Sequence, residues 1–222
     1  SGQVRYEISV AKSGLPLRYR GIQEFEIVPA VKNMTKYAVM ITDPLSIKRE
    51  MYKAIHIALE GRRGPVWLDV PQDMQNAMVE EADLYPIEDE ANEKVAVDYE
   101  QLFESIKVAQ RPCILAGSGI RSGAVMDEFL DFVDRLGIPV IGGAWVADNM
   151  YMEHPLYFGP SGNIGPRTGN FILQNADLIL TLGNSLGFRQ TGFNQKDFAP
   201  KADIIMVDAD ENEAKKPGLR IK

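Results

Sequence analysis

The chain has one cysteine, Cys113, and two histidines, His56 and His154, in 222 residues. A lone cysteine forms no internal disulfide, which fits a reducing, cytoplasmic compartment. It lies inside an apolar run, the setting of an inert core thiol rather than a nucleophile. Neither histidine stands at ligand spacing from Cys, Asp or Glu, so no metal site is expected. GxSxG, Walker A and HExxH patterns are absent. No apolar run reaches the roughly 18 residues of a membrane span, and no signal peptide opens the chain. Basic excess is missing too: Lys+Arg is 24 against Asp+Glu 31, a formal net charge of -7. Non-specific binding to nucleic acid or to anionic membranes is therefore not expected, and neither is counted among the partners.

The remaining composition, 45% hydrophobic and 25% charged, is that of a globular α/β chain. An apolar run at residues 37–41 predicts a strand, residues 47–60 a helix, and residues 65–70 a second strand. In the helix, Ile47, Met51, Ala54, Ile55, Ala58 and Leu59 form one apolar face; Asp43 or Ser46 caps its start and Gly61 stops it. Strand, helix and strand within about 30 residues make a βαβ unit and hence parallel sheet. Residues 76–94 bring seven acidic residues, Pro86 and little apolar periodicity, the composition of an interdomain linker.

From Asp98 the alternation resumes. Helices are expected over residues 98–110, 124–136 and 168–175, and strands over 112–116, 138–141, 177–182 and 203–208. The strands are almost wholly apolar, as in a parallel sheet covered on both faces. The predicted organisation is a first part over residues 1–75, a linker over 76–97 and a parallel-sheet α/β domain over 98–222.

Three glycine-rich loops follow these strands. Gly117 and Gly119 open a GxGxxxG turn before a helix, where glycines let backbone approach a phosphate and the helix N-terminus favours its charge. The spacing is one residue longer than the dinucleotide fingerprint, and the next strand ends in Gly142 and Gly143 rather than in an acid, against NAD. Gly159, Gly162 and Gly165 form a second loop, with Pro166 suited to a first helical turn. Gly183 to Gly192, with Arg189, forms a third. Open α/β sheets bind ligands at that edge. Asp208 and Asp210 end the last strand, to grip a ribose or to cap the next helix. The residues alone support a nucleotide-like cleft and no catalytic machinery.

Ser1 to Val4, Gly21 to Glu24, Thr35 to Ala38, and Gly61 to Gln75 closely resemble acetolactate synthases and related thiamine-diphosphate enzymes. In that family these segments close the pyrimidine-binding domain. The rest is similar to the family's central domain, a six-stranded Rossmann-like fold, through Ala116 to Ile120, His154 to Leu156, Gly159 to Gly165 and Ala176 to Leu180. The chain opens without methionine at Ser1 and stops at Lys222, as if cut at both ends.

The resemblance implies an enzyme that decarboxylates a 2-oxo acid and passes the resulting carbanion to an acceptor. It also implies thiamine diphosphate and magnesium, and a homodimer or homotetramer. The family's catalytic glutamate lies upstream of Ser1 and its Gly-Asp-Gly motif downstream of Lys222. Gln23 matches a glutamine lining the substrate side of the cofactor, with Ile22 in place of the usual phenylalanine. A role capping a helix over residues 24–32 is the other reading of Gln23. Gln72 stands where acetolactate synthases often carry lysine. In flavin-containing members the central domain holds FAD, in others ADP or nothing. The implied cofactor residues here are Gly117, Gly119, Gly162, Gly165, Arg189 and Asp208. Asn163 and Ile164 replace a Met-His pair, and Gly187 and Phe188 replace acids beside Arg189. The alternatives are another thiamine-diphosphate decarboxylase or synthase, or a non-catalytic nucleotide-binding or assembly module.

Overall fold

The structure is a computed structural model that describes residues 2, 4–88, 98–143, 150 and 152–222. The chain divides into two compact units, Ser1–Lys94 and Val95–Lys222.

In the first unit, α1 (Val10–Ser13) and α2 (Ile27–Val31) precede β1 (Tyr37–Met40), α3 (Ile47–Leu59), β2 (Val66–Asp69) and α4 (Gln72–Gln75). β1 and β2 pair in parallel with Tyr37 opposite Val66 and Met40 opposite Asp69, the expected βαβ unit. Asp43 accepts the Leu45 N–H at 3.0 Å and so caps the 3-10 turn ahead of α3, while Ser46 makes no cap bond from its side chain. The expected apolar face of α3 splits. Ala54 is buried, whereas Met51, Ile55 and Leu59 are 45%, 54% and 59% exposed. Two strands are too narrow to cover a stripe that wide.

Residues expected as linker begin on this unit. Tyr85 donates its hydroxyl to Asp43 at 2.5 Å and its N–H to the Leu45 carbonyl at 3.0 Å, with Arg49 over its ring. Residues 89–97 of that stretch lie outside the described residues.

The second unit contains α5 (Tyr99–Val108), β3 (Pro112–Ala116), α6 (Gly119–Ser122), α7 (Met126–Leu136), β4 (Val140–Gly142) and β5 (Tyr157–Pro160). It continues with α8 (Arg167–Asn175), β6 (Leu178–Leu182), α9 (Phe188–Thr191), β7 (Asp203–Val207) and α10 (Glu211–Ala214). The five strands are all parallel in the order β5-β4-β3-β6-β7. The chain winds outward from β3 to one edge, then crosses to β6 and winds to the other. Ile114, Leu178 and Leu180 face one apolar cluster with Phe129 and Val133 of α7. Cys113, Leu115 and Ile179 face the other, with Leu173 of α8. Helices on both faces explain why these strands carry no polar alternation.

Strand β5 was not expected, because Gly159 and Pro160 read as chain breakers; Pro160 is tolerated at the end of an edge strand. Among the described residues the sheet has five strands where the resemblance implies six, and Ile221 makes a parallel bridge to Ile204 beside β7. Among the described residues no helix is long and apolar enough to cross a membrane.

Candidate functional site

A cavity of about 500 Å³ opens in the first unit, walled by Val4, Tyr6 and Ser9, by Gln23 to Ile27, and by Met40, Trp67, Asp69 and Gln72. It lies at the C-terminal ends of β1 and β2. Three stretches far apart in sequence meet there, and carboxylates join them.

Asp73 accepts the N–H of Tyr6 at 2.7 Å and of Glu7 at 3.1 Å. Gln75 donates to the carbonyls of Val70 at 2.6 Å and Gly2 at 3.2 Å, and the Gln72 N–H donates to the Val4 carbonyl. The segment Pro71–Gln75 therefore clamps the first residues of the chain against the end of β2. A Cβ on Gly2 would stand 1.7 Å from the Val70 oxygen, so only glycine fits that approach. Burial pushes the Asp73 pKa up, but the amides of Tyr6 and Glu7 outweigh it and hold the carboxyl below its ordinary range.

Gln23 sits on the cavity wall with φ +59°, in the left-handed region. The helix expected to start at residue 24 begins only at Ile27, with Glu26 in the N-cap position. Beside Gln23, Glu24 accepts three backbone N–H groups, from Val10 at 2.5 Å, Arg20 at 2.6 Å and Gly21 at 2.8 Å. Burial raises its pKa, and those bonds with the Arg20 charge lower it further than burial raises it. Asp69 is a buried acid, 4% exposed, on the same wall. The wall thus carries three carboxamides, Gln23, Gln72 and Gln75, among Met40, Trp67 and Phe25, and the Gln75 amide is taken up by the Val70 and Gly2 carbonyls. That is a surface able to hydrogen-bond a small polar substrate while keeping water from part of it.

The residues implied for a nucleotide stand at the C-terminal edge of the second unit. The Gly117 N–H donates to the Leu182 carbonyl at 2.9 Å and the Gly119 N–H to the Gly183 carbonyl at 3.0 Å. Added Cβ atoms there would stand 2.0 Å from the Gly183 oxygen and 2.6 Å from its Cα. The switch point between β3 and β6, where open sheets take ligands, is thus closed by backbone against backbone. Gly162 donates to Asn170 at 2.9 Å, Gly165 donates to the Gly162 carbonyl at 3.1 Å, and the Asn170 amide bonds the Gly162 and Gly165 carbonyls. Their missing Cβ positions are filled by the Arg189 oxygen and the Ser161 Cα. Arg189, in α9, is exposed. Asp208 accepts the Asp210 N–H and Asp210 accepts the Asn212 N–H, so the pair serves the start of α10, with Asp210 as the cap.

Cys113 is fully buried in β3; burial, with the Asp177 charge, pushes its thiol up to about 12. His154 accepts the Leu156 N–H on Nδ1, which leaves its Nε2 proton for Asp134 at 3.1 Å, a structural role. Among the described residues no group of three His, Cys, Asp or Glu side chains could hold a metal. Sequence reasoning missed Glu24 and Asp73; the Pro71–Gln75 segment was the signal available for Asp73.

The profile described as "Thiamine pyrophosphate enzyme, central domain" matches residues 99–218. The chain is 32% identical over 196 residues to the acetolactate synthase large subunit of Corynebacterium glutamicum, across 86% of this chain and 31% of that protein. It is 31% identical over 183 residues to the acetolactate synthase isozyme 1 large subunit of Escherichia coli, across 81% and 32%. It is 29% identical over 192 residues to the sulfoacetaldehyde acetyltransferase of Alcaligenes xylosoxydans xylosoxydans, across 86% and 32%. The chain thus spans about a third of the length of these relatives. A solved structure from Mycobacterium smegmatis, described as a thiamin diphosphate-dependent enzyme, shares the fold at TM-score 0.74 and 22% identity, over 99% of this chain and 41% of that one. The family resemblance read from the residues is borne out: the chain belongs to the thiamine pyrophosphate enzymes, matched through their central domain.

Proposed function

We propose that the chain is part of an acetolactate-synthase-like enzyme that removes CO2 from a 2-oxo acid and joins the remaining acyl unit to an acceptor. The carrying observation is the cavity in which Gln23 and Gln72 share one wall at the end of β2. Thiamine diphosphate, when bound, supplies the electron sink for the decarboxylation. The chain's own part is orientation: Gln23 donates its amide to substrate oxygen, while the half-buried Trp67 and Met40 limit water on one side. Gln72 in place of the lysine common among acetolactate synthases leaves that position neutral, which favours an acceptor without a second carboxylate to pair.

Magnesium finds no donor set among the described residues, and we assign its ligands to other parts of the enzyme. A flavin or ADP diphosphate does not fit at Gly117, Gly119, Gly162 or Gly165, because each N–H already has a protein acceptor. A nucleotide at that edge would rest on Arg189 and Asp208. Assembly as a homodimer or homotetramer is supported by the exposed stripe of Met51, Ile55 and Leu59. A cytoplasmic location agrees with the single reduced cysteine.

The test is CO2 release from 2-oxo acids by full-length enzyme carrying thiamine diphosphate and magnesium. Gln23→Ala should lower kcat/KM about tenfold to a hundredfold, the value of one charge-assisted hydrogen bond, with little change in melting temperature. A silent Gln23→Ala overturns the assignment. Absence of a flavin band at about 450 nm is expected as well.

A further inference from the structure

The loop between α1 and α2, residues 14–26, contains neither helix nor strand. A free loop of that length samples many conformations, yet Gln23 is held at φ +59°, where side-chain-bearing residues persist only if their surroundings over-determine them. The next residue supplies the constraint. One carboxylate oxygen of Glu24 takes the Val10 N–H, the first orphan donor of α1; Ser9 takes the Lys12 N–H of the same turn at 3.1 Å. The other oxygen takes Arg20 and Gly21 together. Gly21 is itself pressed on Val4, where a Cβ would meet Cγ1 at 2.5 Å, and the Val4 carbonyl holds the Gln72 N–H. Glu24 thereby ties the loop to two other walls of the same cavity.

We propose that Glu24 is a positioning residue: its carboxylate fixes the loop that presents Gln23, and so sets where the Gln23 amide stands on the cavity wall. The inference rests on the reading that Gln23 acts on the substrate. The chemistry demands a carboxylate. Three N–H donors converge on two oxygens, and a glutamine there would turn an NH2 group toward at least one donor. The amides also keep Glu24 ionised below its ordinary range, so the clamp stays charged at neutral pH.

A double-mutant cycle in the full-length enzyme tests this. Gln23→Ala and Glu24→Ala should each lower kcat/KM about tenfold or more, and the double variant should fall within about threefold of Gln23→Ala alone. Glu24→Gln should behave as Glu24→Ala. Independent, multiplicative losses, or a Glu24→Gln enzyme with unchanged kcat/KM, would overturn the proposal. Amide hydrogen exchange on the 222-residue chain separates the clamp from the chemistry. In Glu24→Gln the Val10, Arg20 and Gly21 amides should exchange about tenfold faster while those of β2 do not change. Unchanged exchange at all three overturns the clamp. Faster exchange with a silent Gln23→Ala upholds the clamp and overturns only the role given to Gln23.

Discussion

At the C-terminal ends of their strands the two units hold their loops by different means. In the first, carboxylates reach across sequence to backbone amides: Asp73 to Tyr6 and Glu7, Glu24 to Val10, Arg20 and Gly21. In the second, glycines let backbone lie on backbone, Gly117 and Gly119 against Gly183, and Gly162 against Arg189. The cores differ in the same sense. Both clusters of buried apolar residues belong to the five-stranded sheet, whereas among its described residues the first unit buries Val10, Val31, Ile41 and Ala54 and little else that is aliphatic. Where apolar burial is thin, charge-assisted hydrogen bonds carry a larger share of local order, and they leave a cavity between the tied segments. Where it is continuous, loops pack to contact and leave less room for a ligand.

The largest expected effect is at the glycine contact. Gly117→Ala puts a methyl 2.0 Å from the Gly183 oxygen and 2.4 Å from its carbonyl carbon, backbone that cannot step aside. Denaturant unfolding should show a loss of about 3 kcal/mol or more in the second unit's transition. A loss below about 1 kcal/mol would mean that the loops yield, and would reopen the switch point as a cradle.

Next is the carboxylate clamp. Asp73→Ala removes two amide partners at once and should destabilise the first unit by about 2 kcal/mol, measured by the same titration. A change no larger than that of a surface substitution would break the contrast between the units.

Acid should sharpen it. The folded-state pKa values of Glu24, Asp73 and Asp43 lie below their ordinary ones, Asp43 because the Tyr85 hydroxyl and the Leu45 amide bond it. Depressed carboxylates stabilise fully above the unfolded value, about 4, and that contribution is lost as pH falls through the lower folded value. In the second unit Asp177 does the same through the Gln110 and Arg111 amides. Circular dichroism between about pH 5 and 2 should therefore show the first unit melting before the second. Simultaneous loss would contradict the division of labour.

The apolar runs made β3, β6 and β7 legible in the sequence, because a strand buried on both faces needs no pattern beyond hydrophobicity. Tyr157 to Pro160 carried no such run and became a strand through its neighbour β4. The glycine loops were legible as loops, but not which partner each glycine approaches; Gly183 answers Gly117 from across the sheet. Gln23 was legible only through the family resemblance. Glu24 and Asp73 were not: the amides that Asp73 holds are 66 and 67 residues away. Glu24 gathers the Val10 amide 14 residues away together with the nearby Arg20 and Gly21 amides, a set that no spacing of side chains announces.

The smallest effect concerns α3. Met51, Ile55 and Leu59 follow at successive turns and stand exposed, so they form a stripe that periodicity alone assigns to a core. Burying such a side chain stabilises by about 1.5–3 kcal/mol, and an exposed one gives almost none of that. Ile55→Ser in the 222-residue chain should accordingly change stability by less than about 0.5 kcal/mol, whereas Leu180→Ala in β6, at 1% exposure, should cost about 3 kcal/mol. Isoleucine and serine differ little in helix propensity, so the measurement isolates burial. A loss of several kcal/mol at Ile55 would show the stripe to be covered in solution, and light scattering on the same sample would then show whether a second copy covers it.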